Sequence, residues 1–198
     1  MQKTNSLLAL RALLAATALY SINACGSDDP PSVSATVGGS GSGGAGEVAA
    51  GEVASGDIEI RAIDYAYLDV PDRIRAGTTL SLTNASKREA HELVAIKLPD
   101  GETRAAADLA RLPPDELGAL MAGVRTVVLA APEQDGIPVV GDGSLTEPGR
   151  YFLACVIPTG ADPDEYLEQA ATSDGPPDVA GGPPHIAEGM FGEVTVVE

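Results

Sequence analysis

The sequence predicts a mainly β domain of the β-sandwich class. Two observations lead to this prediction: short runs in which apolar and polar residues alternate, and turn signals that separate those runs. A third is the content of 23 glycines and 15 prolines, which disfavours long helices. With 198 residues, of which 44% are hydrophobic, the chain is long enough for one ordinary domain with extensions. An all-helical bundle is therefore not expected.

Six runs are predicted to be strands, and the folded domain is predicted to cover residues 57–198. In the first run, Ile58 and Ile60 flank the polar Glu59, which is the alternation of a half-buried strand. The predicted strands are residues 58–62, 79–83, 92–98, 126–130, 151–157 and 191–197. Turn signals such as Pro148-Gly149 stand between them.

Two insertions are predicted to contain short helices. The first holds residues 105–111 and 114–121, and Pro114 lies in the first turn of the second helix. In the other insertion, Asp162 is the expected N-cap of a helix that runs to residue 171. A stretch rich in glycine and proline follows at residues 175–184. The predicted class is thus mainly β with short helical insertions.

Residues 1–24 are predicted to be a signal peptide. Two basic residues and no acidic one accompany an uncharged apolar run of 11 residues at 12–22, which is shorter than the roughly 20 that a membrane span needs. The run ends at Ile22-Asn23-Ala24-Cys25, which resembles a bacterial lipobox, so Cys25 is the predicted lipidation site. The alternative is an ordinary secretory signal with an incidental cysteine. Both alternatives place the protein outside the cytoplasm, and lipidation would anchor it to a membrane in the periplasm or at the cell surface.

Residues 25–56 are predicted to be a flexible tether that starts at the lipidated cysteine. They consist mainly of glycine, serine, alanine, proline and valine, a composition typical of a disordered linker. As a glycine-rich coil, such a segment has a typical reach of roughly 30 Å. A disordered segment without any spacing role is an equally good interpretation.

The chain is strongly acidic, with 29 acidic and 12 basic residues and a formal net charge of −17. Removal of residues 1–24 would take this charge to −19, because that segment holds two basic residues and no acidic one. A charge of this sign repels phosphate backbones and anionic lipids. Nucleic acid is therefore not an expected partner, and a membrane is expected only through the lipid anchor.

The scarce metal-ligating side chains occur in a distinctive order. The domain has two histidines, His91 and His185, and with Cys25 lipidated its one remaining cysteine is Cys155. Met190 stands just before the last predicted strand. Each residue alone fits an ordinary role in the core or in a polar loop. Together they suit copper, since the cuprous ion prefers thiolate and thioether and the cupric ion prefers imidazole. The joint order of these residues predicts one metal site.

This order resembles the cupredoxin, or blue copper, superfamily, and the four residues between His185 and Met190 match plastocyanin-like spacing. The resemblance covers about residues 57–198 and is carried by residues 84–93 and by the C-terminal run Pro-His-Ile-Ala-Glu-Gly-Met-Phe-Gly-Glu-Val-Thr-Val. It implies a Greek-key β-sandwich in which His91, Cys155 and His185 are trigonal copper ligands and Met190 is a weak axial one. It also implies single-electron transfer with an extracytoplasmic redox partner protein.

One feature departs from the family pattern. In plastocyanin-like and azurin-like members the cysteine and the second histidine share one tight loop, whereas 29 residues separate Cys155 from His185 here. Loop-closure entropy rises slowly with length, so such an insertion is compatible with a metal site. The many acidic residues of the insertion are interpreted as a solvated face, with a partner-docking surface or a cover over the site as the alternatives.

No enzyme activity is predicted. One cysteine excludes a binuclear copper centre with two thiolates, and two histidines exclude a three-histidine zinc centre. The sequence has no His-Glu-x-x-His, Gly-x-Ser-x-Gly or phosphate-binding motif. Two other functions fit the same sequence: copper buffering or delivery without redox turnover, and a metal-free β-sandwich that serves adhesion or assembly.

Overall fold

The computed structural model describes residues 52–172 and 175–198. The predicted signal peptide at residues 1–24, Cys25 and nearly all of the predicted tether lie outside the described residues. The strands are β1 (Asp57–Ile63), β2 (Ala66–Leu68), β3 (Arg73–Arg75), β4 (Thr78–Asn84), β5 (His91–Lys97), β6 (Val124–Ala130), β7 (Ile137–Val140), β8 (Ser144–Leu145), β9 (Gly149–Ala154) and β10 (Phe191–Val197). The helices are α1 (Ala106–Leu109), α2 (Pro114–Leu120), α3 (Pro163–Thr172) and α4 (His185–Glu188).

The strands form two mixed sheets. The four-stranded sheet has the order β2-β1-β4-β8, and the six-stranded sheet has the order β3-β10-β9-β5-β6-β7. Most neighbours are antiparallel, but β1 pairs in parallel with β4, and β10 pairs in parallel with β3. The predicted fold class is confirmed: the described chain is mainly β, with a few short helices.

Two apolar clusters lie on the two faces of β5. The first cluster takes Leu93 and Ala95 from β5 together with residues of both sheets, so it is the core between the sheets. The second takes Val94 from β5, Leu109 from α1 and Ile186 from α4. Six of the seven residues of β5 are buried, because one face meets the other sheet and the opposite face meets the helices. The strand that begins at His91 is therefore enclosed on both sides.

All six predicted strands are present, with ends that differ by a few residues. The strand predicted at residues 151–157 ends at Ala154, so Cys155 directly follows β9. The strands β2, β3, β7 and β8 were not predicted, because they have only two to four residues and so carry no periodicity. Backbone pairing begins slightly before Asp57, since the carbonyl oxygen of Ala54 accepts a hydrogen bond from the Arg75 N–H at 2.9 Å.

The helices agree with the predicted insertions in position. Pro114 is the first residue of α2, and the Asp162 carboxylate accepts a hydrogen bond from the Glu165 N–H at 3.0 Å, as expected of an N-cap. The short helix α4 was not predicted, because four residues are too few for a helical pattern. Within residues 52–172 and 175–198, no helix has the length and apolar character needed to cross a membrane.

Candidate metal centre

His91 is the first residue of β5, and the loop before it is held by a buried asparagine. The side-chain amide of Asn84 donates to the carbonyl oxygens of Glu89 at 2.8 Å and Ala130 at 3.3 Å. The Asn84 side-chain oxygen accepts a hydrogen bond from the Ser86 N–H at 2.8 Å. These bonds satisfy backbone groups at the base of the loop, where hydrogen-bond partners other than water are needed because Asn84 and Ala130 are buried. Asn84 therefore fixes the β4–β5 loop and, with it, the start of β5.

Cys155 is tied by its backbone to the C-terminal end of the chain. Its N–H donates to the carbonyl oxygen of Met190 at 3.2 Å, and its carbonyl oxygen accepts the Ile186 N–H at 2.8 Å. The backbone N–H of Glu92 points at the Cys155 sulfur, with an N···S distance of 3.5 Å. A donor aimed at the sulfur favours the thiolate over the thiol.

His185 begins α4 and is fixed from both sides. Its N–H donates to the carbonyl oxygen of Ile157 at 2.9 Å, and its own carbonyl oxygen accepts the Met190 N–H at 3.0 Å. Gly189 ends the helix with φ of 116°, a conformation that residues with a Cβ rarely adopt. This glycine lets the chain reverse between His185 and Met190, so that both meet the end of β9.

The 29-residue insertion between the cysteine and the second histidine has paired ends. The chain leaves the site at Ile157 and Pro158 and returns at Pro184, which forms an antiparallel bridge with Pro158. Further out, the Thr159 N–H donates to the carbonyl oxygen of Pro183 at 3.0 Å. Because the insertion returns to where it left, its length does not separate Cys155 from His185.

The structure brings His91, Cys155 and His185 together. One donor atom from each lies within 4.8 Å of the other two. The two Nδ1 atoms are 3.2 Å apart, and the Cys155 sulfur is 3.3 Å from the Nδ1 of His185. Together, the three side chains point one sulfur and two ring nitrogens at a common centre.

A metal ion fits this triangle. A first-row ion such as zinc binds nitrogen at about 2.0–2.1 Å and sulfur at about 2.3 Å, so two donors on one ion stand about 3.2–3.7 Å apart. The observed separations of 3.2 and 3.3 Å are at the lower end of this range. Two imidazoles with one thiolate are a mixed donor set that suits copper. The residues present therefore fit the ion that the sequence predicts.

Burial sets the protonation states of the three side chains, each of which is 0% exposed. Loss of solvation, with the nearby His185 ring as a second cause, lowers the pKa of His91 to about 4. Loss of solvation also lowers the pKa of His185, against the opposing effect of Glu89. Both rings are therefore neutral at pH 7, as metal ligands must be. Burial raises the pKa of the Cys155 thiol, so metal binding must release its proton.

Met190, the predicted axial ligand, is linked to the site through its backbone and its burial. It is fully buried in the same core cluster as Cys155. Its backbone carbonyl and N–H pair with Cys155 and His185 respectively. The only other methionine in residues 52–172 and 175–198, Met121, packs against the second apolar cluster instead.

Sequence reasoning missed a buried carboxyl group behind the site. Glu92 is only 6% exposed, and it lies between His91 and four apolar residues of β5. Its carboxylate accepts hydrogen bonds from the Val156 N–H at 3.1 Å and from the Tyr166 hydroxyl at 3.3 Å. Burial raises its pKa to about 7. The available sequence signal was its place in the run His-Glu-Leu-Val-Ala-Ile. A strand this rich in apolar residues is expected to be buried on both faces, so a glutamate within it is expected to be buried as well.

Sequence reasoning also missed two residues beside His185. The Nε2 atom of His185 lies 3.5 Å from a carboxylate oxygen of Glu89. The ring of Tyr65 meets the His185 ring edge to face, with 5.1 Å between ring centroids. The sequence offered no signal for either one, since acidic residues are abundant and Tyr65 lies in the turn between β1 and β2.

No protein family and no curated protein matches this sequence. Among solved structures, the chain resembles dithionite-reduced auracyanin from Roseiflexus castenholzii, with 20% identity, 73% of this chain and 99% of that chain covered, and a TM-score of 0.39. It also resembles auracyanin A from Chloroflexus aurantiacus, which is described as a "blue" copper protein, with 18% identity, 73% and 100% covered, and a TM-score of 0.37.

Reduced rusticyanin is a further similar structure, with 14% identity, 75% of this chain and 89% of that chain covered, and a TM-score of 0.38. The solved structures that resemble this chain thus include auracyanins and rusticyanins, and the chain itself has the expected cluster of two histidines and one cysteine. Because each of these TM-scores is below 0.5, a function for this chain has to be supported by its own residues.

Proposed function

We propose that this chain is a type 1 copper protein that transfers single electrons. His91, Cys155 and His185 would hold one copper ion as trigonal ligands, and Met190 would be the weak axial ligand. The observation that carries the proposal is the buried triangle of one sulfur and two Nδ1 atoms, with separations of 3.2 and 3.3 Å. Copper bound by this donor set is stable in both the cuprous and the cupric states.

The enclosure of the site favours electron transfer over catalysis on a substrate. The side chains of His91, Cys155 and His185 are all fully buried, so a substrate has no direct approach to the donor atoms. An electron needs no such opening, because it can reach a buried centre through the protein. The site is also rigid, since backbone hydrogen bonds tie the ends of β9 and α4 to each other. Rigid ligands favour fast electron transfer because the geometry changes little between oxidation states.

Titration of the purified protein with copper(II) tests this function. One equivalent of copper is expected to give intense visible absorption from charge transfer between thiolate and copper, together with a reversible reduction potential. In Cys155→Ser this absorption is expected to disappear, because a hydroxyl group is a hard, protonated ligand. The matched control, Cys25→Ala, removes the other cysteine and should keep the absorption.

The other outcomes separate the competing functions. An unchanged spectrum in Cys155→Ser would exclude the proposed site. Copper that binds without charge-transfer absorption or a reversible potential would indicate buffering or delivery. A protein that takes up no copper would be a metal-free β-sandwich module.

We further propose that the protein works outside the cytoplasm, anchored by a lipid on Cys25, and that another protein is its redox partner. The support is the apolar run at residues 12–22 followed by the lipobox-like Ile22-Asn23-Ala24-Cys25. In Cys25→Ala, the protein is expected to carry no fatty-acid label and to leave the membrane fraction. Membrane retention of the unlabelled variant would contradict lipid anchoring.

A further inference from the structure

The two nitrogens of the His185 ring have different surroundings. Nδ1 faces the sulfur of Cys155 and the Nδ1 of His91, at 3.3 and 3.2 Å. Nε2 is buried and makes no hydrogen bond within the described part of the chain. A carboxylate oxygen of Glu89 lies 3.5 Å from it. A buried ring nitrogen without a partner therefore faces a carboxylate.

Glu89 is held in this position by several contacts. The oxygen that faces His185 also accepts a hydrogen bond from the Gly160 N–H at 3.2 Å. The backbone N–H of Glu89 donates to the Ser86 hydroxyl at 3.0 Å, and its carbonyl oxygen accepts from Asn84 at 2.8 Å. Its side chain is only 12% exposed. The carboxylate is therefore fixed at the edge of the site rather than free in solvent.

Tyr65 packs against the ring of His185. Its ring packs edge to face on the His185 ring, with an angle of 66° between the ring planes. The backbone of Tyr65 has φ of 64°, which is uncommon for a residue with a bulky side chain. The turn between β1 and β2 thus places an aromatic ring over His185. Because the His185 ring is fully buried, the charge of Glu89 acts on it with less screening than in water.

The chemistry of a metal-binding imidazole explains this arrangement. A ring that binds a metal through Nδ1 carries its proton on Nε2, and that N–H needs an acceptor when it is buried. We propose that Glu89 is the acceptor: it is a positioning residue that holds His185 in the tautomer with the proton on Nε2, and its negative charge stabilises the cupric state of the site. This inference rests on the proposed copper function only for the part that concerns copper.

Three variants separate the parts of this proposal. Glu89→Ala removes both the acceptor and the charge, whereas Glu89→Gln keeps an acceptor oxygen and removes the charge. The matched control is Glu188→Gln, because Glu188 is an exposed carboxylate on the same helix as His185 and forms no ion pair with its ring among the described residues. Nitrogen-15 NMR of the imidazoles reports the tautomer in metal-free and copper(I)-loaded protein, chelator competition reports copper affinity, and voltammetry reports the potential.

The expected results differ between the variants. In the wild type and in Glu188→Gln, His185 carries its proton on Nε2. Glu89→Ala loses this preference and binds copper(II) about 10–100-fold more weakly, which is the usual loss for an outer partner of a metal ligand. Its affinity for copper(I) falls less, so the reduction potential rises. Glu89→Gln keeps the tautomer but shows the same direction of change in potential.

An unchanged tautomer, copper affinity and potential in a folded Glu89→Ala protein would overturn the proposal. So would an equal effect from Glu188→Gln, because a general effect of charge would then explain the result. If the wild type takes up no copper, the proposed function fails by itself. The tautomer in the metal-free wild type and in Glu89→Ala still decides whether Glu89 positions His185.

Discussion

The backbone N–H of His185 donates to the carbonyl oxygen of Ile157 at 2.9 Å, two residues beyond Cys155. This bond closes the base of an insertion of 29 residues, whose ends are paired further by the bridge between Pro158 and Pro184. These paired ends bring Cys155 and His185 together, as a short loop between the two residues would. The second histidine therefore stands beside the cysteine whatever the length of the chain between them.

A substitution at this base is expected to disturb the site without touching a ligand. In Gly181→Ala, the added Cβ would stand 2.5 Å from the Pro158 Cβ and 3.0 Å from the Thr159 carbonyl oxygen, so the paired ends must move apart. We expect a loss of about 1–3 kcal/mol in unfolding free energy, the usual cost of overpacking, together with weaker copper binding. Urea denaturation and chelator competition measure the two effects.

The control for this variant lies in the same insertion. In Gly175→Ala, the added Cβ meets nothing within 4 Å, so stability and copper affinity should stay close to those of the wild type. If both variants weaken copper binding equally, or if Gly181→Ala leaves it unchanged, the paired base does not position His185.

The sequence predicted the long strands and the three clustered side chains for identifiable reasons. Strands such as β1 alternate between a buried and an exposed face, and a histidine or cysteine is noticeable in a chain that has two of each. Glu89 could not be singled out, because it is one of 29 acidic side chains, whereas the signal for Glu92, its place in a largely apolar run, was missed. Both carboxyl groups are held by contacts distant in sequence, Glu89 by Gly160, and Glu92 by Val156 and Tyr166.

Replacement of His91 by leucine is expected to abolish copper binding without destabilising the metal-free protein. The Nε2 atom of His91 is buried and has no hydrogen-bond partner in the described structure. An unsatisfied buried polar group costs about 1–3 kcal/mol, and an apolar side chain of similar volume removes that cost. We therefore expect the unfolding free energy of metal-free His91→Leu to equal or exceed that of the wild type in urea denaturation.

Copper provides the second measurement on this variant. A ligand that binds only the folded state raises the melting temperature, so copper should stabilise the wild type and leave His91→Leu unchanged. Stabilisation of both proteins by one equivalent of copper would show that His91 is not a ligand. A large loss of stability in the metal-free variant would show instead that the ring is needed for packing.

Glu92 is expected to make the metal-free protein less stable as the pH rises. Burial raises its pKa from 4.5 to about 7, so between these values the folded state holds a proton that the unfolded state has lost. This contribution to stability is fully present below pH 4.5 and is lost as the pH approaches 7. The rise in pKa corresponds to about 3 kcal/mol at most. Glu92→Gln has no carboxyl group to titrate, so the difference in stability between the two proteins should change by up to that amount.

The lowered pKa of His91 changes the stability with pH in the direction opposite to that of Glu92. The wild type must therefore be compared with Glu92→Gln. Burial lowers the pKa of His91 from 6.5 to about 4, so the contribution of His91 is present above pH 6.5 and is lost as the pH falls towards 4. The two effects overlap and partly cancel in the wild type. Urea denaturation of both metal-free proteins from pH 4.5 to 8 isolates the contribution of Glu92. A difference that does not vary with pH would mean that Glu92 is ionised in the fold.

Met190→Leu is expected to keep copper and to raise its reduction potential. Leucine conserves the volume of the buried methionine, and such exchanges usually cost less than about 1.5 kcal/mol, so the fold should tolerate the change. Loss of the weak axial thioether leaves a more hydrophobic, three-coordinate site, which favours the cuprous state. Voltammetry of the copper-loaded proteins measures the shift, and Met121→Leu is the control, because Met121 packs in the second apolar cluster. Identical potentials and spectra in the wild type and Met190→Leu would mean that Met190 is core packing and that the site has three ligands.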